Sequence, residues 1–280
     1  MIINYIFSYQ KVKSKLTVYY SLLSTRFLLP RTSRKFKTFG KLQYQSIIYY
    51  LLLTAYCSLL TACTGSSEAF IEKAKEQMMK GKAQEALPFL NKAIDKDPSN
   101  PKAFNMRGAA YFELKDYVNA SLDYEKVMQL DPKDYRPYFN RASIKMEKSD
   151  WEGALTDCSK AIKIQSDTAD NYIKRGMILA ALKQPENAIK DFNKAISLKP
   201  SETNALYNRG NIYFQLNELE KAGKDFETAI RIDPVFGKAF FGLGIVQQKM
   251  GKKDAACLSL KRASTLGYPD AKEALETYCN

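Results

Sequence analysis

The sequence predicts an all-α protein built as a stack of helical hairpins, and three observations carry that prediction. Cut at Ser67, Pro101, Tyr135, Ala169, Thr203 and Gly237, the chain falls into six consecutive blocks of 34 residues without insertion or deletion. A self-similar period of that length marks stacked units, none of which can bury its apolar face alone. Small residues recur at fixed places: position 20 is Ala86, Ala120, Ala154, Ala188, Ala222 and Ala256, position 8 is always Gly or Ala, and position 27 is Ala in every block except for Val127. Large residues stand beside them, at position 4 (Phe70, Phe104, Tyr138, Tyr172, Leu206, Phe240) and at position 24, where Leu90, Tyr124, Phe192, Phe226 and Leu260 are joined by Cys158. Small side chains let two helix backbones approach, and large ones fill the space alongside.

Ahead of the blocks lies an address. Residues 1–63 hold nine Lys or Arg and no Asp or Glu, which leaves 34 basic and 30 acidic residues in the remainder. The net charge of +13 therefore belongs mainly to the N-terminal segment. A near-neutral body has no strong electrostatic reason to bind phosphate backbones, so nucleic acid is not an expected partner. Residues 1–34 are basic and aromatic, show no repeat and are given no folded role; no Met lies between Met1 and Met78, and a start nearer Lys35 is one reading. Residues 35–62 have the layout of a secretory signal: Lys35, Lys37 and Lys41, then an apolar run from Ile47 to Leu60, then small residues. That run is shorter than the roughly 20 apolar residues a spanning helix needs. Leu60-Thr61-Ala62-Cys63 resembles a bacterial lipobox. The resemblance implies cleavage before Cys63, acylation of that residue, and a short linker over 63–66. Thr64, with no Asp after the cysteine, points by the same analogy to the outer membrane, facing the periplasm; the inner membrane or the cell surface is the alternative.

Each block reads as two helices, the first over positions 3–14 and the second over 17–28. Asp116 and Asp150 sit just before second helices, where a carboxylate accepts from free backbone amides. Pro185 opens one, and Pro98, Pro132, Pro200 and Pro234 stop others. Residues 271–280, after the six blocks (67–100, 101–134, 135–168, 169–202, 203–236 and 237–270), read as a helix capping the open end.

One pairing runs through the blocks. Arg107, Arg141, Arg175 and Arg209 occupy position 7, and Asp123, Asp157, Asp191 and Asp225 occupy position 23. The first and last blocks lack both partners. In an antiparallel hairpin turning near positions 15–16, positions 7 and 23 lie nearly opposite, so four structural ion pairs are expected. A row of Arg for an acidic ligand is the weaker reading, because the two residues come and go together.

There is no histidine, and none of Cys57, Cys63, Cys158, Cys257 and Cys279 forms a CxxC pair, so no metal site or cofactor is expected. Cys158 stands where other blocks have Phe, Tyr or Leu and reads as core packing. Cys257 on the last second helix and Cys279 on the cap come within reach of each other, as a disulfide in an exported protein or as two buried thiols.

The register held over residues 67–270, with Ser166 and Tyr268 departing from the proline at position 32, resembles the tetratricopeptide-repeat family. That resemblance implies a right-handed superhelix with a concave groove lined by positions 2, 5, 6, 9, 12 and 13 of the first helices. Here the candidate groove residues are Asn105, Phe112, Arg136, Phe139, Asn140, Met146, Tyr207, Asn208, Asn211, Phe214, Gln215 and Phe241. Amides can bond an extended peptide backbone and aromatics supply rigid contact area. Packing between neighbouring blocks is the other reading, strongest for Phe112 and Phe214. The carboxylate clamp of chaperone-cofactor members is broken: Asn211 matches one element, but Gly242 stands where the next Asn belongs. The expected function is a membrane-anchored scaffold that binds protein or peptide partners. A glycan-binding lipoprotein is the alternative, and an enzyme is the weakest reading, since no catalytic motif is present.

Overall fold

A computed structural model describes residues 65–279, which form thirteen α-helices and, among the described residues, no strand. The N-terminal address, with Cys63, and the final Asn280 lie outside the described residues. The hairpins are α1 (Ser67–Met79) with α2 (Ala83–Lys96), α3 (Pro101–Glu113) with α4 (Tyr117–Leu130), α5 (Arg136–Glu147) with α6 (Trp151–Ile164), α7 (Ala169–Ala181) with α8 (Pro185–Leu198), α9 (Thr203–Gln215) with α10 (Leu219–Ile232), and α11 (Gly237–Lys249) with α12 (Lys253–Thr265). A last helix, α13 (Ala271–Tyr278), packs on α12. The fold is a superhelical solenoid of helical hairpins closed by a C-terminal helix.

Helix ends differ from the sequence expectation by about two residues, for local reasons. First helices begin at or next to the opening of the block, and in the first two the residue just before the block caps them: the Ser66 hydroxyl accepts from Ala69 N at 3.2 Å, and Asn100 Oδ1 accepts from Lys102 N at 3.1 Å with Pro101 next in the chain. Second helices in the first five blocks run on to position 30, stopped at position 31 by a non-helical residue, extended at Asp97 and Asp233. In most blocks that residue precedes proline, which disfavours helical backbone one position earlier. Gln165 is extended before Ser166 as well.

The turn inside every hairpin has one geometry. Position 15 takes positive φ in all six blocks, at Gly81, Lys115, Ser149, Lys183, Asn217 and Gly251. In the second block Lys115 N bonds Phe112 O at 2.9 Å and Asp116 N bonds Tyr111 O at 2.8 Å, the paired closure that satisfies terminal carbonyls of a helix. Asp116 and Asp150 then cap the next helix, accepting from Asn119 N (3.1 Å) and Gly153 N (3.0 Å).

The core is a spine of the small and large positions. All six alanines at position 20 are fully buried, and so are Tyr124, Phe192 and Phe226 to within 1%. Position 3, which the sequence pattern did not single out, is buried too, as Ala103, Pro137, Ala205 and Ala239. At the open end, α12 stops at Gly267 with positive φ, and a disulfide joins Cys257 to Cys279, whose Cα atoms are 5.7 Å apart. Cys158 is a buried free thiol, its pKa pushed up to about 12 by burial.

Candidate interaction groove

Successive first helices touch one another (α1 with α3, α3 with α5, α7 with α9, α9 with α11), and the well-packed contacts between alternate helices are all of this kind. First helices therefore form the inner layer of the curve and second helices the outer one. Their exposed side chains face a common concave surface.

Four of the sequence-selected residues meet at one place on it. Asn105, Arg136, Phe139 and Asn140 line a recess of about 220 Å³, with Asp170 and Asn171 on the α7 side. Asn140 Nδ2 donates to Asn105 Oδ1 at 3.3 Å across the α3–α5 seam. Arg136 is turned back on the buried Asp134 carboxylate, donating from Nε at 2.8 Å and from Nη2 at 2.7 Å. Its charge is thus already matched, and Nη1 remains for a ligand. Asn171 fills position 3, where other blocks carry Ala or Pro; it is fully buried, donates to Gln165 O at 3.2 Å, and its Oδ1 has no partner.

Lys174, which sequence reasoning did not select, lies between α5 and α7. Its ammonium sits 3.3 Å from the centroid of Phe139, donates to Phe139 O at 3.0 Å and reaches the Ser143 hydroxyl. Burial lowers its pKa to about 8. Its place at position 6, one of the groove-lining positions, was the available signal, but its contacts come from the neighbouring block.

The rest of the selected set divides. Phe112 packs on Tyr117 (5.7 Å between ring centroids) and against the Ala120–Tyr124–Ile144 core, Met146 against Ala142 and Cys158, and Phe214 against the Ala222–Phe226 core. These three serve the stack more than the groove. Tyr207 contacts both Phe226 and Phe236 at 5.8 Å. Phe241 is covered by Tyr268, with ring centroids 4.7 Å apart. Asn208, Asn211 and Gln215 stay partly or fully open to solvent on α9.

The position 7 arginines grip the position 23 aspartates with two bonds each. The Nε and Nη2 distances are both 2.8 Å for Arg107–Asp123, 2.9 and 2.8 Å for Arg141–Asp157, both 2.7 Å for Arg175–Asp191, and 2.8 and 2.6 Å for Arg209–Asp225. Each pairing holds its guanidinium pKa above the usual arginine value. The free Nη1 reaches back to position 25 of the preceding block in three cases, at Asn91 (2.8 Å), Glu125 (3.4 Å) and Asn193 (2.5 Å). The arginines thus stitch neighbouring blocks as well as the two helices of their own. They are committed to that task and not to a ligand.

Among the described residues no cluster of metal-ligating side chains is present and no helix is long and apolar enough to cross a membrane. The family model described as Tetratricopeptide repeat matches residues 101–134 and 203–236, in register with two of the blocks, and a second, described as TPR repeat, matches residues 176–216. The chain is a tetratricopeptide-repeat protein. No curated protein matches its sequence. Solved tetratricopeptide-type structures match its fold. YrrB, described as a TPR protein with an unusual peptide-binding site, is 20% identical and superposes over 67% of this chain and 97% of its own with a TM-score of 0.53. PilF of Pseudomonas aeruginosa is 16% identical over 75% of this chain and 97% of its own, with a TM-score of 0.66. MamA is 23% identical over 61% and 94%, with a TM-score of 0.53. At such identities the likeness is one of fold. As a tetratricopeptide-repeat protein, the chain has the general character of a protein-interaction scaffold.

Proposed function

We propose that this chain is a lipid-anchored scaffold whose inner face binds an extended segment of a protein partner, and that it acts by binding and not by catalysis. The observation that carries the groove reading is the recess between α3, α5 and α7. It combines an aromatic ring, Phe139, with the Asn105–Asn140 amide pair and the free edge of Arg136. Amides on successive inner helices supply donors and acceptors for an extended backbone, while a rigid ring offers contact area at low entropic cost. That YrrB is described as having a peptide-binding site supports a peptide over a sugar.

The anchor rests on the lipobox-like Leu60–Cys63 and the basic, apolar stretch before it. More than one acyl chain on Cys63 gives stable attachment, since each buried methylene contributes about 0.8 kcal/mol. Thr64 favours the outer membrane and a periplasm-facing body.

A photo-crosslinking side chain at Phe139 or Tyr207 tests the groove, with the exposed outer-face Leu122 as control. The inner positions should capture one defined protein and Leu122 should not; equal capture from both faces would reject the groove. Binding of a glycan with no protein captured would favour the sugar-binding alternative. Palmitate labelling of the wild-type chain, lost in Cys63→Ser, tests the anchor, and unchanged labelling would refute it.

A further inference from the structure

The inner helices differ in charge along the stack, and the difference concentrates at one end. The first, α1, carries Glu68, Glu72 and Glu76. Each of α3, α5 and α7 carries one carboxylate, as Glu113, Glu147 and Asp170. Neither α9 nor α11 has any. Most cations of the central inner helices are already matched, the position 7 arginines and Lys145 by aspartates of the second helices and Arg136 by Asp134. On α11 the two cations are Lys238 and Lys249, and no ion pair to either is present among the described residues.

Both lysines are exposed, and both lean across the α9–α11 seam onto an aromatic ring of α9, Lys238 also standing beside Phe236 at the start of α11. Lys238 stands 5.5 Å from the centroid of Tyr207 and 5.5 Å from that of Phe236, and Lys249 stands 4.9 Å from that of Phe214. A cation beside a ring face has no opposite full charge to compensate it, unlike one paired with a carboxylate. The two lie at opposite ends of α11, about 16 Å apart at the helical rise per residue, so they bracket the width of the inner face. Between them the neighbouring surface of α9 offers Asn208, Asn211 and Gln215, which are polar and uncharged.

From this we infer that the α9–α11 end of the groove is the subsite for an acidic stretch of the bound peptide. Its carboxylates meet Lys238 and Lys249 while its backbone meets the α9 amides. The inference rests on the groove reading and adds a charge preference and a location to it.

Fluorescence anisotropy with the full chain and three labelled Gly-Ser peptides, interspersed with Glu, Gln or Lys, tests it. The Glu peptide should bind more tightly than the Gln peptide, and the Lys peptide more weakly than either. Lys238→Gln and Lys249→Gln should each weaken the Glu peptide by about threefold to fivefold, in line with single exposed charge pairs, and leave the Gln peptide unchanged. Raising the salt should erase the difference. The outer-face control, Lys190→Gln with Lys224→Gln, should do nothing; the basic N-terminal residues are common to all variants. Equal binding of Glu and Gln peptides, or an equal loss from the outer-face control, overturns the inference. If in that case Tyr207→Ala weakens both peptides, the groove reading survives; if no inner-face substitution alters either, both readings fall.

Discussion

The Cβ that an alanine would add at Gly176 lies 2.7 Å from Cε1 of Phe192. The same closeness recurs at Gly108 against Tyr124 (2.6 Å) and at Gly210 against Phe226 (2.9 Å). Where position 24 holds a smaller residue, Leu90 or Cys158, position 8 is Ala74 or Ala142. The two positions trade volume across the hairpin. Gly244 opposite Leu260 is the one block that keeps glycine beside an aliphatic side chain, at 2.7 Å.

This trade predicts a coupled pair. Gly176→Ala alone should destabilise by about 1–3 kcal/mol, because a buried ring has no room to yield. In a Phe192→Leu background the same change should cost far less, since alanine is the better helix former by about 1 kcal/mol. Thermal melts of the four chains give the coupling energy; additive costs would show that the ring moves aside freely.

The same geometry explains how much of the fold was legible in the sequence. A hairpin can nest only if tiny and bulky residues keep their spacing, so the 34-residue register was readable without any structure. The Arg and Asp columns were readable because the end blocks lose both partners together. Lys174 and Asn171 were not, since their burial is created by a neighbouring block and not by their own helix. Helix starts were misplaced because a cap such as Ser66 or Asn100 depends on a single residue that does not recur from block to block, and the uncapped first helices begin as early. Lys238 and Lys249 escaped for another reason: their meaning lies in the lack of carboxylates on α9 and α11.

The arginine stitches predict an asymmetry. Asp191 is 7% exposed in its side chain and accepts both bonds from Arg175. Asp191→Ala should cost about 2–3 kcal/mol by leaving a half-buried guanidinium unpaired. Replacing both partners, as Arg175→Met with Asp191→Leu, should cost clearly less. Chemical denaturation distinguishes the two outcomes, and equal losses would mean that the pair itself, and not its broken half, carries the stability.

Turn geometry predicts a gain. Lys115 and Lys183 hold φ near +60°, where a Cβ is strained, while the first and last hairpins place glycine at the same point. Lys115→Gly and Lys183→Gly should each stabilise the chain by roughly 0.5–1 kcal/mol, as relief of left-handed strain outweighs the added freedom of the unfolded backbone. Gly81→Ala should do the reverse. A fall in melting temperature for either lysine variant would show that the side chain contributes contacts that outweigh the strain.

Lys174 predicts a pH dependence whose sign follows from linkage. Its pKa is about 8 in the fold because burial disfavours the charged ammonium, against the ordinary lysine value of 10.5. Below about 8 both states carry the proton, and the penalty for burying it is fully present. Between about 8 and 10.5 the unfolded chain binds the proton and the folded chain does not, so this site adds stability as pH rises through that window. Lys174→Met should therefore be more stable than the wild type at pH 7, by roughly 1–3 kcal/mol, even though it gives up the contacts to Phe139 and Ser143. Its advantage should shrink as pH climbs past 8 and be lost near 10.5. Paired melts from pH 7 to 10.5 measure the difference directly, with Lys190→Met, on the exposed outer face, as the comparison variant. A constant difference across that range would mean that the amino group titrates as a solvated lysine and that Phe139 and Ser143 do not keep it from water.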